Sequence, residues 1–364
     1  MPDSAADGPP EDGGEGRDAA GPTTRRALLR AAAGAGVAST AGCAAVTTPV
    51  DVAESGSIPG SVDYFEDAAW LAEHRDGTVV LDARSRDRFR EERIYGARRV
   101  PLDAVTATRR TDRGVVPDAD ALASAFAAAG VTPEDDVAVY GASVGSRVSR
   151  LVFALAYLGH RGGIAVLNGG FEAWPGRVGV GDRRVAPARY DPDPDPGLVV
   201  TRGWLADRVG SFNGGGPGLL DTRPPEAYLG APGADELVAS NDRHGHLPGA
   251  VDVHWTANVS GRVLADPARL SRLYGSEAGL PRSGPTAVYG QAAVDPTNTW
   301  LVLRALGFED VRLYEGGFRE WANAAPAARG RYPVETKTRV VVETERGGVG
   351  GGPAGGAGGF SCTG

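Results

Sequence analysis

Cysteine is nearly absent from this chain, since only Cys43 and Cys362 among 364 residues carry a thiol. So few cysteines exclude a disulfide framework and a structural zinc site of the multi-cysteine type. Histidine is scarce too, with five residues, and the close pair His244 and His246 lacks the ligand spacing of known metal motifs. No glycine run precedes a helix in the way that a dinucleotide-binding fingerprint requires. The sequence therefore predicts no metal site and no cofactor.

Lysine is rarer still, because Lys337 is the only lysine among 38 basic residues and all the others are arginines. Acidic residues number 46, which gives a formal net charge of -8. A net negative chain argues against nucleic acid as the main partner. The acid excess together with arginine in place of lysine favours a salt-adapted source. Hydrophobic residues make up 41% of the chain, enough for the cores of two domains.

The N-terminal segment has the features of a targeting signal and not of a folded domain. Residues 1–22 are acidic, rich in glycine and proline and almost free of large apolar side chains, which predicts disorder. Residues 23–43 contain the pair Arg25 and Arg26, a weakly apolar run too short to span a membrane, and small residues before Cys43. This order resembles a Tat export signal with a lipobox. It implies a cell-surface lipoprotein that meets the membrane only through an acylated Cys43.

The body of the chain contains one unit twice. The segment VVLDAR at residues 79–84 returns as GLLDTR at 218–223, and VAVYG at 137–141 returns as TAVYG at 286–290. Each copy continues with a helix-like apolar segment, a short apolar strand and a Gly-Gly-Phe turn followed by a tryptophan. The order and the spacing agree throughout, so the sequence predicts two domains of the same fold.

The fold class follows from the pattern inside each copy, where short runs of valine, leucine and isoleucine alternate with segments of helical period. This alternation predicts an α/β fold, in which a parallel sheet is covered by helices on both faces. The predicted parts are a first domain at 60–180, a Pro/Asp-rich linker at 181–197, a second domain at 198–332 and a flexible Gly-rich tail at 347–364.

The ends of the predicted central strands share one edge of each sheet. Asp82 and Asp221 close apolar strands, and loops follow Tyr140 and Tyr289 at the same edge. Open α/β sheets bind their ligands outside the carboxyl ends of the strands. We therefore expect the functional site of each domain at this edge.

Three motifs of the second copy resemble those of tandem rhodaneses, the two-domain fold of thiosulfate and 3-mercaptopyruvate sulfurtransferases. They are the strand end Leu220–Arg223, the turn Gly245–Ala250 and the segment Glu315–Phe318 followed by Trp321. The resemblance implies a cysteine directly after the tyrosine of the central strand, at the start of a six-residue loop. The inward N–H groups of such a loop and a helix N-terminus favour an anion. In active members the thiolate carries a persulfide from donor to acceptor.

This chain departs from the family pattern in that loop. The active-site loop consists of Gly290, at the position of the nucleophile, followed by Gln291, Ala292, Ala293, Val294 and Asp295. Ala293 stands near a usual glycine, and Asp295 stands near a usual basic or hydroxyl residue. The negative charge of Asp295 would repel an anionic donor by on the order of 1–4 kcal/mol at contact distance near a surface. The first copy has Gly141 at the equivalent place, so neither loop has the thiol on which persulfide turnover depends.

Two interpretations stay open, and with them the question of whether the protein is an enzyme. In the first, Cys362 on the tail replaces the missing thiol as the catalytic residue of a sulfurtransferase. In the second, the protein is a catalytically inactive module that binds a small sulfur-containing anion, another oxyanion or a protein partner. A weaker third interpretation is acid–base hydrolysis by Asp295 and a histidine, in a chain without a serine nucleophile elbow.

Arg223 and His246 are the candidate substrate-binding residues of the second domain. For Arg223, an ion pair with a nearby acid such as Glu226 is an equally good alternative. For His246, capping of a turn is the structural alternative.

Overall fold

The computed structural model describes residues 63–109, 112–231 and 236–336, and all of them belong to one compact unit. The predicted export signal, the lipid attachment at Cys43, the thiol of Cys362 and the Gly-rich tail lie outside the described residues. Among the described residues, no helix combines the length and the apolar character needed to cross a membrane.

The first half of the described chain is an α/β domain with a parallel sheet. Its strands are β1 (Phe65–Glu66), β2 (Thr78–Asp82), β3 (Arg93–Ile94), β4 (Arg98–Arg99), β5 (Ala107–Arg109), β6 (Asp112–Val115), β7 (Asp136–Tyr140), β8 (Ile164–Leu167) and β9 (Val178–Gly179). Its helices are α1 (Ala68–His74), α2 (Arg86–Glu91), α3 (Ala119–Ala128) and α4 (Ser146–Tyr157). The main sheet has the order β1-β8-β7-β2-β4, and every neighbouring pair is parallel.

The second half repeats this architecture. Its strands are β10 (Val199–Val200), β11 (Gly218–Asp221), β12 (Val251–Asp252), β13 (Val259–Ser260), β14 (Val263–Leu264), β15 (Pro285–Tyr289) and β16 (Asp310–Tyr314). Its helices are α5 (Arg202–Ala206), α6 (Pro225–Tyr228), α7 (Glu236–Ala239), α8 (Pro267–Arg272), α9 (Pro296–Ala305) and α10 (Gly317–Ala322). The sheet order β10-β16-β15-β11-β12 is again parallel and equivalent to that of the first half, which confirms the predicted fold class.

The main strands form where short apolar runs can be buried on both faces, as parallel strands require. β7 and β15 lie inside their sheets and are buried over four of their five residues. Local signals start several helices. The side chain of Asp67 accepts the Trp70 N–H at the start of α1, and Thr201 does the same for Trp204 at the start of α5.

The two halves meet through α4 and α9, the helices that follow the two equivalent loops. The rings of Phe153 on α4 and Trp300 on α9 pack edge to face with centroids 4.9 Å apart. The hydroxyls of Ser149 and Thr297 lie 3.2 Å apart in the same buried contact. One hydrophobic core runs through this contact and includes buried residues of both sheets. The domains therefore share a core instead of being joined only by the linker.

The segment at 181–197 follows the surface of the first domain. The N–H of Ala188 donates to Ala127 O at 2.9 Å, and that of Asp193 donates to Leu158 O at 3.0 Å. The ring of Tyr190 is buried against Phe126. These contacts fix the path of a Pro-rich chain that has no helix or sheet pairing of its own in its central part.

Candidate functional site

Gly290 lies at the carboxyl end of β15, a strand that pairs with β11 on one side and β16 on the other. A side chain at this position would have limited room. An ideal Cβ would be 3.0 Å from Pro296 Cδ, 3.3 Å from Ala292 O and 3.3 Å from Thr222 Oγ1. Those distances require neighbours to move by only a few tenths of an ångström, so the site of the missing nucleophile is narrow but not filled.

The six-residue loop from Gly290 to Asp295 is held by its carbonyl groups. The N–H of Phe318 donates to Gly290 O at 2.8 Å, and the hydroxyl of Thr297 donates to Val294 O at 2.6 Å. The side-chain amides of Gln291 and Asn241 bond to each other, with Gln291 Nε2 donating to Asn241 Oδ1 at 2.8 Å. The loop backbone is therefore fixed from three sides.

Gly317 explains why the Gly-Gly-Phe motif follows each final strand. Its φ is +59°, and a Cβ there would lie 2.8 Å from both Gly290 O and Gln291 O. Glycine allows the start of α10 to approach the loop closely, which gives Phe318 its bond to Gly290. The first half has the same bond, from the Phe171 N–H to Gly141 O at 2.8 Å.

The N–H groups of the loop are the feature that suits an anion. Across the described ranges, the N–H groups of Ala292, Ala293, Val294 and Asp295 donate to no protein acceptor. The N-terminus of α9 begins directly after them. Successive unbonded amides beside a helix N-terminus form an anion-binding concavity.

Arg223 lies deep inside the second domain, with 3% of its surface exposed. It forms an ion pair with Asp221, Nη2 to Oδ2 at 2.6 Å, and also donates to Gly245 O at 2.7 Å. The acid in this pair is Asp221 and not Glu226. Arg84 and Asp82 form the equivalent pair in the first domain, at 2.7 Å. The repeated pair joins a strand end to the following turn in both halves, and a substrate-binding role for Arg223 stays a prediction.

His246 is fully buried and stacks on the ring of Tyr228 with centroids 3.7 Å apart. Its Nδ1 lies 2.9 Å from Tyr228 O, and its backbone pairs with that of Glu335. Burial lowers the pKa of His246, which favours the neutral imidazole. The structure thus places His246 in the packing between α6 and the C-terminal described segment, and its binding role also remains a prediction.

Asp252 and His254 lie at the edge of the candidate site, and neither was predicted from the sequence. Asp252 is 1% exposed, and neither of its carboxylate oxygens has a hydrogen-bond partner in the part of the chain that is described. Burial, together with the nearby charge of Asp221, raises the pKa of Asp252 to about 8. Burial lowers the pKa of His254, although the negative charge of Asp295 opposes that shift. The available sequence signal was that both residues come directly after the turn Gly245–Ala250, in and just after the segment that forms β12.

The first-domain loop is less open than the second. A Cβ at Gly141 would lie 2.7 Å from Val148 Cγ2, and the N–H of Val144 donates to Arg262 O in the turn between β13 and β14. Gly114 of β6, in the first domain, likewise lies against the second loop. A Cβ on Gly114 would lie 2.7 Å from Val294 Cγ2. Each strand-end loop is therefore contacted by a two-stranded hairpin of the other domain.

The two similar domains identify the family to which the protein belongs. The Rhodanese-like domain family matches residues 67–176 and 201–324, so the chain belongs to this family through both of its halves. The tandem-domain prediction and the family resemblance are thereby confirmed.

Curated proteins that this chain resembles are sulfurtransferases. The chain is 29% identical to a thiosulfate sulfurtransferase of Pseudomonas aeruginosa over 256 residues, which cover 67% of this chain and 88% of the relative. A thiosulfate sulfurtransferase of Azotobacter vinelandii is also 29% identical, with the same coverage. A probable 3-mercaptopyruvate sulfurtransferase of Pseudomonas aeruginosa is 28% identical and covers 64% of this chain and 82% of that protein.

Solved structures have the same fold. The 3-mercaptopyruvate sulfurtransferase SseA of Escherichia coli aligns with a TM-score of 0.61 at 24% identity, over 70% of this chain and 99% of that one. The structure of wild-type EanB aligns with a TM-score of 0.63 at 19% identity, over 76% of this chain and 69% of that one. At these identities the alignments establish the architecture.

Proposed function

We propose that this protein is a sulfurtransferase-like rhodanese whose second domain binds a small sulfur-containing anion or another oxyanion without forming a persulfide on its loop. The observation that carries this proposal is Gly290 at the end of β15, in a loop where four successive N–H groups have no protein acceptor among the described residues. The loop keeps the groups that attract an anion and lacks the thiolate that would react with it.

The ligand class is taken from the relatives. Two of them are thiosulfate sulfurtransferases, and thiosulfate is a small divalent anion of the kind that backbone N–H groups bind. Asp295 is exposed at the end of the loop and lowers the affinity for such an anion by its charge. The proposed site therefore binds its anion more weakly than the same loop without that carboxylate.

Intact-mass analysis tests the loss of chemistry. After incubation with thiosulfate or 3-mercaptopyruvate, the Cys43→Ala, Cys362→Ala double variant is expected to gain no sulfur, because it contains no cysteine. Thiosulfate:cyanide sulfurtransferase activity of this variant should stay at the background rate. A stable gain of one sulfur by this cysteine-free variant would defeat every cysteine-based account of this protein.

Calorimetric titration with thiosulfate tests the binding. Asp295→Asn is expected to bind thiosulfate more tightly, by roughly 1 kcal/mol for a charge near the surface. Asp191→Asn is the matched control, since Asp191 is also an exposed aspartate but pairs with Arg189 in the 181–197 segment of the chain. Equal affinities of the wild-type protein and Asp295→Asn would place the anion elsewhere, and no binding at all would refute the proposal.

Sulfur relay by Cys362 is the second candidate function. The specific observation in its favour is that Cys362 follows a Gly-rich segment and lies two residues after Phe360, an aromatic residue suited to docking. The 26 residues from Thr336 to Cys362 would span about 26–31 Å as a flexible chain. Sulfurtransferase activity in the wild-type protein that disappears in Cys362→Ala would establish this mechanism in place of the inactive module.

We also propose that the protein is exported by Tat and held at the cell surface by a lipid on Cys43. There a protein partner is the alternative to a small anion as the ligand of the second domain. The support is the order of Arg25, Arg26, the apolar run and Cys43. Replacement of both arginines by lysine should retain the precursor inside the cell. Cys43→Ala should release exported protein from the membrane fraction, and unchanged fractionation of both variants would contradict the proposal.

A further inference from the structure

Arg150 is a charged residue at the centre of the domain interface. It projects from α4 of the first domain and has no exposed surface. Its Nε donates to Val105 O at 3.1 Å within its own domain, and its Nη1 donates to Ala293 O in the second-domain loop at 3.3 Å. Its Nη2 lies 3.7 Å from Glu315 Oε1, also in the second domain. One guanidinium therefore joins the first domain to two segments of the second.

Glu315 of the second domain likewise bonds to the first domain. Its carboxylate Oε1 accepts the N–H of Val116, the residue after β6 of the first domain, at 2.6 Å. Burial lowers the pKa of Arg150 to about 10, while the charge of Glu315 opposes the shift, so Arg150 is cationic at neutral pH. Buried charges persist only where partners compensate for the lost hydration, and here the compensation comes from across the interface.

The contact between Arg150 and the loop has an equivalent in the other half. Asn298 on α9 donates through Nδ2 to Val144 O of the first loop at 2.7 Å. Val144 and Ala293 are both the third residue after their strand-end glycines, Gly141 and Gly290. Each domain thus binds one carbonyl of the other domain's loop, at the same position of the repeat.

A hydrogen bond that fixes the orientation of a carbonyl group also fixes the N–H group of the same peptide unit. Within a trans peptide the C=O and N–H groups point in opposite directions. The bond from Arg150 to Ala293 O therefore sets the direction of the Val294 N–H. The bonds from Thr297 to Val294 O set that of the Asp295 N–H in the same way. Both of these N–H groups belong to the proposed anion site.

We infer that Arg150 of the first domain is a positioning residue for the second-domain loop, so that anion binding by the second domain depends on the first. This inference rests on the proposed function for the ligand, but the effect of Arg150 on the loop is independent of any ligand. The first domain then serves as a support, because its Arg150 holds the carbonyl of Ala293 in the second-domain loop.

The test combines Arg150→Met with Glu315→Gln in the full chain. The double variant removes both buried charges together, which avoids the isolated charge that a single substitution would leave. Without the bond to Ala293 O, the amides that are bonded to the loop carbonyls are expected to exchange with deuterium at least about tenfold faster than in the wild type. These are the N–H groups of Thr297, on Val294 O, and of Phe318, on Gly290 O. The thermal unfolding midpoint should change little, and thiosulfate should bind at least about tenfold more weakly.

Two further variants test whether the effect on the loop comes from the guanidinium of Arg150 and not from any loss of charge at the domain interface. Arg150→Lys keeps the charge but has no planar group to reach three partners, so it should also accelerate loop exchange. Arg262→Ala is the control, because it removes an exposed ion pair with Glu172 across the same domain interface and should leave loop exchange and thiosulfate affinity unchanged.

Nitrogen-edited NMR spectra of the amides at 292–295 separate the two proposals. If thiosulfate shifts none of these signals in the wild-type protein, the proposed function fails while the role of Arg150 is still decided by the exchange rates. If the signals and exchange rates in the double variant and in Arg150→Lys equal those of the wild type, the role of Arg150 is overturned.

Discussion

At the scale of single residues, the two strand-end glycines are not equivalent. A Cβ at Gly290 would have its nearest neighbour, Pro296 Cδ, at 3.0 Å, whereas a Cβ at Gly141 would lie 2.7 Å from Val148 Cγ2. The first loop also has its Val144 N–H in use. A thiol can therefore be introduced at the second site with less strain than at the first.

Gly290→Cys is expected to acquire thiosulfate:cyanide sulfurtransferase activity above the background of the parent protein. The reason is that the thiol would enter a loop whose amides stabilise a thiolate and a persulfide. The Cys43→Ala, Cys362→Ala double variant is the best parent for this variant, since the new thiol is then the only one in the protein.

Gly141→Cys in the same parent is the matched control. It should remain inactive and lose about 1–3 kcal/mol of stability through overpacking. Equal activity in the two variants, or none in a folded Gly290→Cys, would show that the second loop has no functional anion site.

Asp252 makes stability depend on pH. Its folded pKa of about 8 lies above its ordinary value of 3.8, so the folded state binds one more proton than the unfolded state between these values. Stability then falls as pH rises through this window, by at most about 1.4 kcal/mol per pH unit.

Asp252→Asn should remove this dependence. Chemical denaturation at a series of pH values is expected to show the variant gaining stability relative to the wild type from pH 4 to pH 8, with no further gain above. Asp191→Asn, at an exposed aspartate, serves as control. A constant difference between Asp252→Asn and the wild type across this range would contradict the assignment.

At the scale of elements, α4 and α9 carry the contact between the domains. Phe153→Ala should lower the free energy of unfolding by about 3–5 kcal/mol, because it leaves a cavity against Trp300 in a core that serves both sheets. Urea denaturation measures the loss. Val180→Ala, at an exposed position, should change stability by less than about 0.5 kcal/mol, and a similarly small effect of Phe153→Ala would mean that the interface is not packed as described.

The elements that sequence analysis predicted are those with strong local signals. β2, β7, β11 and β15 are apolar runs closed by polar or glycine residues, and the repetition of the unit places them in equivalent positions. Their order along the chain predicts the parallel sheets and the strand-end loops, including Gly290.

The features that escaped prediction depend on contacts between distant segments. The β5–β6 and β13–β14 hairpins are short and lack an apolar alternation, so nothing local marks them. The burial of Arg150 arises from partners at Val105, Ala293 and Glu315, which the sequence spacing does not bring together. The pairing of Arg223 with Asp221, two residues away, was open to sequence analysis, which weighed Glu226 instead.

At the scale of the whole molecule, the shared core predicts cooperative unfolding. Buried residues of both sheets belong to one hydrophobic core, and the 181–197 segment is bonded along the first domain. Tryptophan fluorescence and far-ultraviolet circular dichroism should therefore report the same denaturation midpoint. Two separated transitions, one for each half, would show that the interface contributes little to stability.

The crossed bonds from Arg150 to Ala293 and from Asn298 to Val144 have an evolutionary consequence. A single-copy ancestor with the same helix face would have had to obtain its loop support from another subunit, related to it by a twofold axis. Duplication and fusion of the gene would have made that support intramolecular. In the fused chain, a substitution on the helix face of one copy therefore acts on the loop of the other.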